Sequence, residues 1–401
     1  MSSIGGSSGK AEPLGFLGAC LSVYLVAAPL DFVEVVPGVS LARIAALPLI
    51  LAILLSLGRL RLELDGFLLA VGAYVLVMLL SLGVSANLES GLVHFASIAV
   101  NLIFVVVLSS FDYSDTDRRW LARSLMVGAW IVVAIMVMSP GNVTATVVTG
   151  RVVANLMGNQ PDPNELCQWF VYPSAMYMYR FLRHRAPLNL VACLVFVVAG
   201  VFTGSRGGVG GILAGLVVTI VCYLHFERNS WRLVILSLLS IPVFYVAYRF
   251  VIRRLPLDVL ARFTVDNPDM YSAELRLAIW RQLLLRYGDS PLVNQAIGHG
   301  PNATRELGGY DAVAHNTPLE NLLDFGVAGL VSYTFLMLAV LRMAWKSRSA
   351  PLVGSLAGIG VVLLSISGLA DKPLYSVVLL VILGFRVWRR TPEITRGAPS
   401  S

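Results

Sequence analysis

The constraint that governs this chain is a predominantly apolar run of about twenty residues that recurs, with short polar interruptions, along most of its length. A helix of roughly 17–25 apolar residues crosses the ~30 Å hydrocarbon core of a bilayer. Such runs occupy about 14–30, 39–57, 67–84, 92–110, 121–139, 165–182, 187–203, 207–225, 231–251, 318–341, 351–369 and 373–388. About twelve spans predict an all-α polytopic membrane protein, because only helices and closed barrels satisfy their backbone groups in lipid. Composition agrees: 57% of the 401 residues are hydrophobic and 13% are charged, about half the charged share of a soluble domain.

The chain then divides into a Gly/Ser-rich tail over 1–13, helices one to nine over 14–251, a large loop over 252–317, helices ten to twelve over 318–388, and a tail over 389–401. The first apolar run is read as a retained helix rather than a cleaved signal peptide, because the charge pattern then alternates consistently. The net charge of +7 does not point to nucleic acid, since the basic residues recur in small groups between apolar runs. Alternate loops carry Arg59 and Arg61; Arg118, Arg119 and Arg123; Arg180, Arg183 and Arg185; Arg228 and Arg232; and Arg342, Lys346 and Arg348. The C-terminal end adds Arg386, Arg389, Arg390 and Arg396, Lys10 lies in the N-terminal tail, and the intervening short loops carry only Arg151, Arg206 and Lys372. Basic short loops stay in the cytoplasm, which puts both termini inside, as an even number of spans requires.

By the same alternation the loop over 252–317 lies outside, and its seven arginines do not upset the assignment because long translocated segments escape the charge bias. Within it, 272–288 (SAELRLAIWRQLLLRYG) predicts an amphipathic helix on the membrane surface or against the bundle. The four cysteines, Cys20, Cys167, Cys193 and Cys222, lie in or beside apolar runs with no CxxC spacing, so they indicate neither a metal site nor a disulfide framework.

Four outward-facing features carry chemistry. In 314–329, AHNTPLENLLDFGVAG, the order Thr317, Pro318, Glu320 has the form of a capping box, which starts a helix at Pro318 and leaves His315 and Asn316 just outside it. A neutral imidazole there can take a proton from a hydroxyl, whereas a histidine in isolation is more often a loop residue bonded to a carbonyl. In 203–211, TGSRGGVGG, Ser205 and Arg206 sit at a glycine-rich turn before the eighth run, where an arginine and free helix amides suit a phosphate; the competing reading is a turn with a snorkelling arginine. Arg276 lies in the amphipathic helix, which needs some basic residues in any case. Asp162 and Asn164, beside prolines before the sixth run, read first as turn and helix-cap residues. Glu320 and Asp324 share a helix face and need a wet cavity or partners, while Gly326 and Gly329 allow a neighbouring helix to approach. Of the other histidines, His299 is the competitor to His315; His94, His184 and His225 are less well placed.

These features resemble the O-antigen ligase/polymerase family of bacterial envelope glycosyltransferases. The ligase histidine signature, His-Asn, nine residues, Gly, two residues, Gly, reads here as His315-Asn316, TPLENLLDF, then Gly326-Val327-Ala328-Gly329. A Ser-Arg-Gly turn (TGSRGG) and an arginine ahead of an Ile-Trp pair (ELRLAIW) stand in the expected order. The resemblance implies a GT-C-like bundle in the bacterial inner membrane with its active site facing the periplasm. It implies transfer from an undecaprenyl-diphosphate-linked glycan to a sugar hydroxyl of lipid A–core, with inversion and with no metal, cofactor or ATP. His315 is then the catalytic base, Arg206 and Arg276 hold the diphosphate, and Ser205, Asn316, Asp162, Asn164 and Glu320 support them. Joining of lipid-linked repeat units by a polymerase is the near alternative. A secondary transporter is more remote: no internal repeat is visible, and only Arg43, within the second run, suits transport better.

Overall fold

The computed structural model describes residues 15–138, 145–146, 151–152, 161–227, 270–308 and 314–390. Each apolar run within them forms a helix; the ninth, over 231–251, the tail over 1–13 and residues 391–401 lie outside the described residues. Helices α1 (Phe16–Ala27), α2 (Leu41–Leu55), α3 (Gly66–Leu82), α4 (Leu88–Ser109), α5 (Asp115–Met138), α6 (Pro163–His184), α7 (Pro187–Phe202) and α8 (Arg206–Glu227) come first. Then follow α9 (Met270–Gly288), the short α10 (Leu292–Ile297) and α11 (Ala303–Gly308), and α12 (Thr317–Lys346), α13 (Ala350–Leu363) and α14 (Lys372–Arg390). Two small antiparallel hairpins, Glu34–Val36 with Val39–Ser40 and Ala145–Thr146 with Arg151–Val152, are the sheet structure among the described residues.

Short polar residues start the helices where the runs begin. Ser40 accepts from the Arg43 amide at 3.3 Å, Asp65 from Leu68 at 2.9 Å, Asn87 from Ser90 at 3.0 Å and Asp162 from Asn164 at 2.7 Å. Helices α4, α5, α8 and α12 are each long and apolar enough to cross a membrane, and α1 with its following turn, α2, α3, α7 and α13 are shorter apolar helices. Leu47, Leu55, Leu69, Val100 and Ile103 expose large apolar side chains outward, as a lipid-facing surface requires. Helix α14, by contrast, buries every residue from Leu379 to Leu383 and packs against α4, α5, α6, α12 and α13 as the central member of the bundle.

The closest helix pair is α8 on α13. A methyl group on Gly358 would stand 2.5 Å from the Gly211 carbonyl oxygen, and one on Gly211 would stand 2.6 Å from the Gly358 carbonyl oxygen. Small residues four apart on both helices let the backbones touch, which drives helix association where water expulsion does not.

Helix α12 departs from expectation in two ways. Its N-cap is Asn316, not Thr317: the Asn316 carboxamide accepts from the Leu319 amide at 2.9 Å, so the helix starts one residue early. The Thr317 hydroxyl is occupied elsewhere, donating to the Ile366 carbonyl at 2.7 Å and accepting from the Gly368 amide at 2.9 Å, which dissolves the capping box. The helix also breaks at Gly326, whose φ of 68° and ψ of −169° lie outside the helical region. Gly326 therefore serves the break, with the chain around Ala296–Gly298 packed on it, rather than a flat helix contact. The carbonyls freed by the break are used: Leu323 accepts from the His299 amide at 3.0 Å, and Asp324 from the Gly300 amide at 3.1 Å and the Ser81 hydroxyl.

Contacts sort the loops into two ends of the bundle. One end gathers Arg61 with Asp112 at 3.2 Å, Arg118 with Asp115 at 2.6 Å, and Arg389 with Glu63 at 3.3 Å. The opposite end gathers the starts of α4, α6, α8, α12 and α14, together with α9 to α11.

Candidate functional site

His315 stands at the start of α12 with a left-handed backbone, φ 49°. That conformation costs an ordinary side chain energy and persists where its surroundings enforce it. The surroundings here are a strap, residues 364–368, that joins α13 to α14. The His315 amide donates to the Ser367 hydroxyl at 3.2 Å and the Asn316 carboxamide to the Leu364 carbonyl at 3.3 Å. With the two bonds of Thr317, four hydrogen bonds stitch 315–317 to the strap.

The strap also reaches the turn before α8. A methyl group on Gly207 would collide with the Ser365 hydroxyl, so the strap lies directly against the residue following Arg206. The Ser205 hydroxyl accepts from the Gly208 amide at 2.8 Å, capping α8, and donates to the Asn164 side-chain oxygen. Asn164 belongs to the first turn of α6, where Asp162 is the cap. Thus Asp162, Asn164, Ser205 and Arg206 form one patch on the strap's far side, with Arg206 exposed.

Arg276 arrives from α9. Trp280, one turn further along the same helix face, donates its indole N–H to the Ala314 carbonyl at 2.7 Å. Leu283 and Tyr287, further along α9, pack with Ala314 and Leu323. The face of α9 that carries Arg276 is therefore fastened to the residue preceding His315. Gly207, next to Arg206, touches the same strap to which His315 bonds, and Trp280, one turn after Arg276, bonds to Ala314, next to His315.

His299 is held elsewhere. Its Nε2 meets the Ser290 hydroxyl at 2.9 Å, its ring lies beside Tyr287, and burial pushes its pKa below the ordinary histidine value. Its backbone bond to Leu323 gives it a fastening role at the α12 break.

Residues not singled out from sequence complete the region. Asp371 accepts from the Gln168 carboxamide at 2.8 Å, and burial pushes its pKa up to about 6. Lys372 pairs with Asp31, whose other oxygen accepts from Ser40 at 2.5 Å. Beside them Asp31, Glu34, Glu165 and Phe32 line a cleft of about 260 Å³. The signal that could have found Asp371 is an Asp-Lys pair placed directly before the last apolar run. His94, set aside on sequence, stands with Glu320 and Asp324 of α12 so that one ligand atom of each lies within 4.8 Å of the others, and these are the described residues that could hold a metal ion. The Glu320–Asp324 face thus finds partners: Asp324 accepts from the Asn302 amide at 2.9 Å and from the Thr304 hydroxyl at 2.9 Å.

Multiple apolar helices of this kind have the character of an integral membrane protein. Residues 191–334 match the family model described as O-antigen ligase. The matched stretch runs from α7 into α12 and includes Arg206, Arg276 and His315. No curated protein matches the chain.

Proposed function

We propose that this protein is an O-antigen ligase that transfers a glycan from undecaprenyl diphosphate to a sugar hydroxyl of lipid A–core at the periplasmic face of the bacterial inner membrane. The observation that supports the reading is that the residue after Arg206 and the His315 amide contact one strap, 364–368, while Trp280, a turn from Arg276, bonds to Ala314. The alternation of basic loops supports twelve spans with both termini in the cytoplasm, which turns this end of the bundle outward.

The chemistry needs no activated nucleotide at that face. The acceptor oxygen attacks the anomeric carbon, forming a carbon–oxygen bond as the bond to the diphosphate oxygen breaks. The hydroxyl proton passes to His315, a transfer worth about 10²–10⁴-fold for a positioned base. The electron pair leaves with undecaprenyl diphosphate, whose added charge Arg206 and Arg276 neutralise. In-line attack inverts the anomeric centre.

The test is a reaction of purified protein with undecaprenyl-diphosphate-linked glycan and lipid A–core, without nucleotide, beside His315→Ala. Glycan-bearing lipid A from wild type and none from the variant is the expected result. Chain lengthening of the lipid-linked repeat without lipid A–core replaces the ligase with the polymerase reading, and equal product from the variant removes His315 as the base.

A further inference from the structure

We propose that His94, Glu320 and Asp324 form a binding site for a divalent transition-metal ion, Zn²⁺ or Mn²⁺, which ties α4 to the first turns of α12, just after His315. The His94 Nε2 lies 4.0 Å from a Glu320 oxygen and 3.9 Å from an Asp324 oxygen. Those distances are too long for hydrogen bonds and suit an ion between the groups. With no edge of the triangle above 4.8 Å, a central point lies about 2.3–2.5 Å from each corner, and a contraction of a few tenths of an ångström reaches the ~2.0–2.2 Å of zinc to imidazole and carboxylate.

Electrostatics favour a dication there. The Glu320 and Asp324 side chains are 6% and 0% exposed, one turn apart on a helix that reads as membrane-spanning. A protonated imidazole offsets one of two buried negative charges, whereas a divalent ion offsets both and leaves His94 neutral, the form that ligates.

The surroundings have the features that a metal site needs. Asp324 is oriented from behind by the Asn302 amide at 2.9 Å, the Thr304 amide at 3.2 Å and the Thr304 hydroxyl at 2.9 Å. Outer bonds of this kind fix a ligating carboxylate while leaving it lone pairs for the ion. In front, a cleft of about 450 Å³ lined by His94, Asn87, Glu89, Ser90 and Asn302 opens onto the site, giving an ion a route and room for water to complete its coordination. One nitrogen and two carboxylate donors favour zinc or manganese over magnesium and calcium, which take oxygen shells.

Glu320 lies five positions after His315 and Asp324 two before the Gly326 break, so the ion would fix the first turns of α12 as a structural clamp. The proposal stands apart from the glycan chemistry, because its assay contains no glycan substrate. Full-length protein in detergent, stripped with a chelator and dialysed against micromolar Zn²⁺ or Mn²⁺, is expected to retain one ion per chain by plasma mass spectrometry. Re-addition is expected to raise its thermal midpoint. In His94→Ala, whose side chain borders the cleft, affinity is expected to fall at least 10-fold and the thermal response to vanish; Glu320→Gln should behave likewise where it folds. Failure of wild type to retain either ion, or equal retention by His94→Ala, overturns the site. Retention of magnesium or calcium alone overturns the choice of metal.

Discussion

The indole N–H of Trp280 donates to the carbonyl of Ala314 at 2.7 Å, so a surface helix holds the residue directly before His315. Ala314 is 1% exposed, and no water can replace that donor without the helix lifting away. Trp280→Phe keeps the ring packing and removes the bond, leaving a buried carbonyl unsatisfied at a cost of about 1–3 kcal/mol. Because Arg276 rides on the same helix face, misplacement of α9 should also lower transfer several-fold. Leu284→Ala, at a position 46% exposed on the same helix, is the control and should leave transfer intact. Equal transfer by wild type and Trp280→Phe would free Arg276 from the site.

Arg206 begins α8 behind a serine cap and stays exposed, so its replacement should not disturb the bundle. Arg206→Lys keeps the charge but loses the planar fork that grips a phosphate through two parallel bonds. Binding of undecaprenyl diphosphate is expected to weaken by about 10-fold or more, with expression and thermal midpoint unchanged. Wild-type affinity in that variant would reduce Arg206 to a turn residue.

Asp371 supplies a pH signature. Burial raises its carboxyl to about 6 from the ordinary value of 3.8, so folding disfavours its charged form. Its contribution to stability is therefore fully present below pH ~4 and is lost as pH rises through 6. Asp371→Asn cannot ionise, so its thermal midpoint relative to wild type should climb across that window and level off above it. A constant offset between the two proteins from pH 4 to 7.5 would contradict the burial of this carboxyl.

Much of the arrangement is legible in the sequence, and the reasons are physical. Bilayer-length apolar runs dictate helices, so every run within the described residues became one. His315, Arg206 and Arg276 stood out because charged or titratable groups are costly beside lipid and need a reason to be there. The strap was not legible. Its residues Ser367 and Gly368 resemble any connection, and their partners, His315 and Thr317, lie some fifty positions away. The same strap took the Thr317 hydroxyl and moved the helix cap to Asn316, which local pattern alone could not foresee. His94 is silent in the sequence for a similar reason: its neighbours Glu320 and Asp324 stand on a helix remote in sequence.

The glycine seam between α8 and α13 offers the sharpest test of the packing. Gly358 and Gly360 belong to the same helix two positions apart, but only Gly358 faces α8. A Cβ on Gly358 would stand 2.5 Å from the Gly211 carbonyl oxygen and 2.6 Å from a Val171 methyl, whereas one on Gly360 meets nothing within 4 Å. Gly358→Leu must push two backbones apart, and overpacking of this kind costs ~1–3 kcal/mol or more. Gly360→Leu points outward and gains helix propensity of up to ~1 kcal/mol relative to glycine. Thermal unfolding in detergent should therefore move in opposite directions for the two variants. The α8 turn bearing Arg206 lies against the strap beyond the end of α13, so Gly358→Leu should lower transfer as well, while Gly360→Leu should not. Matching midpoints for the two would mean that the seam is loose and that the strap alone sets the spacing of Arg206 and His315.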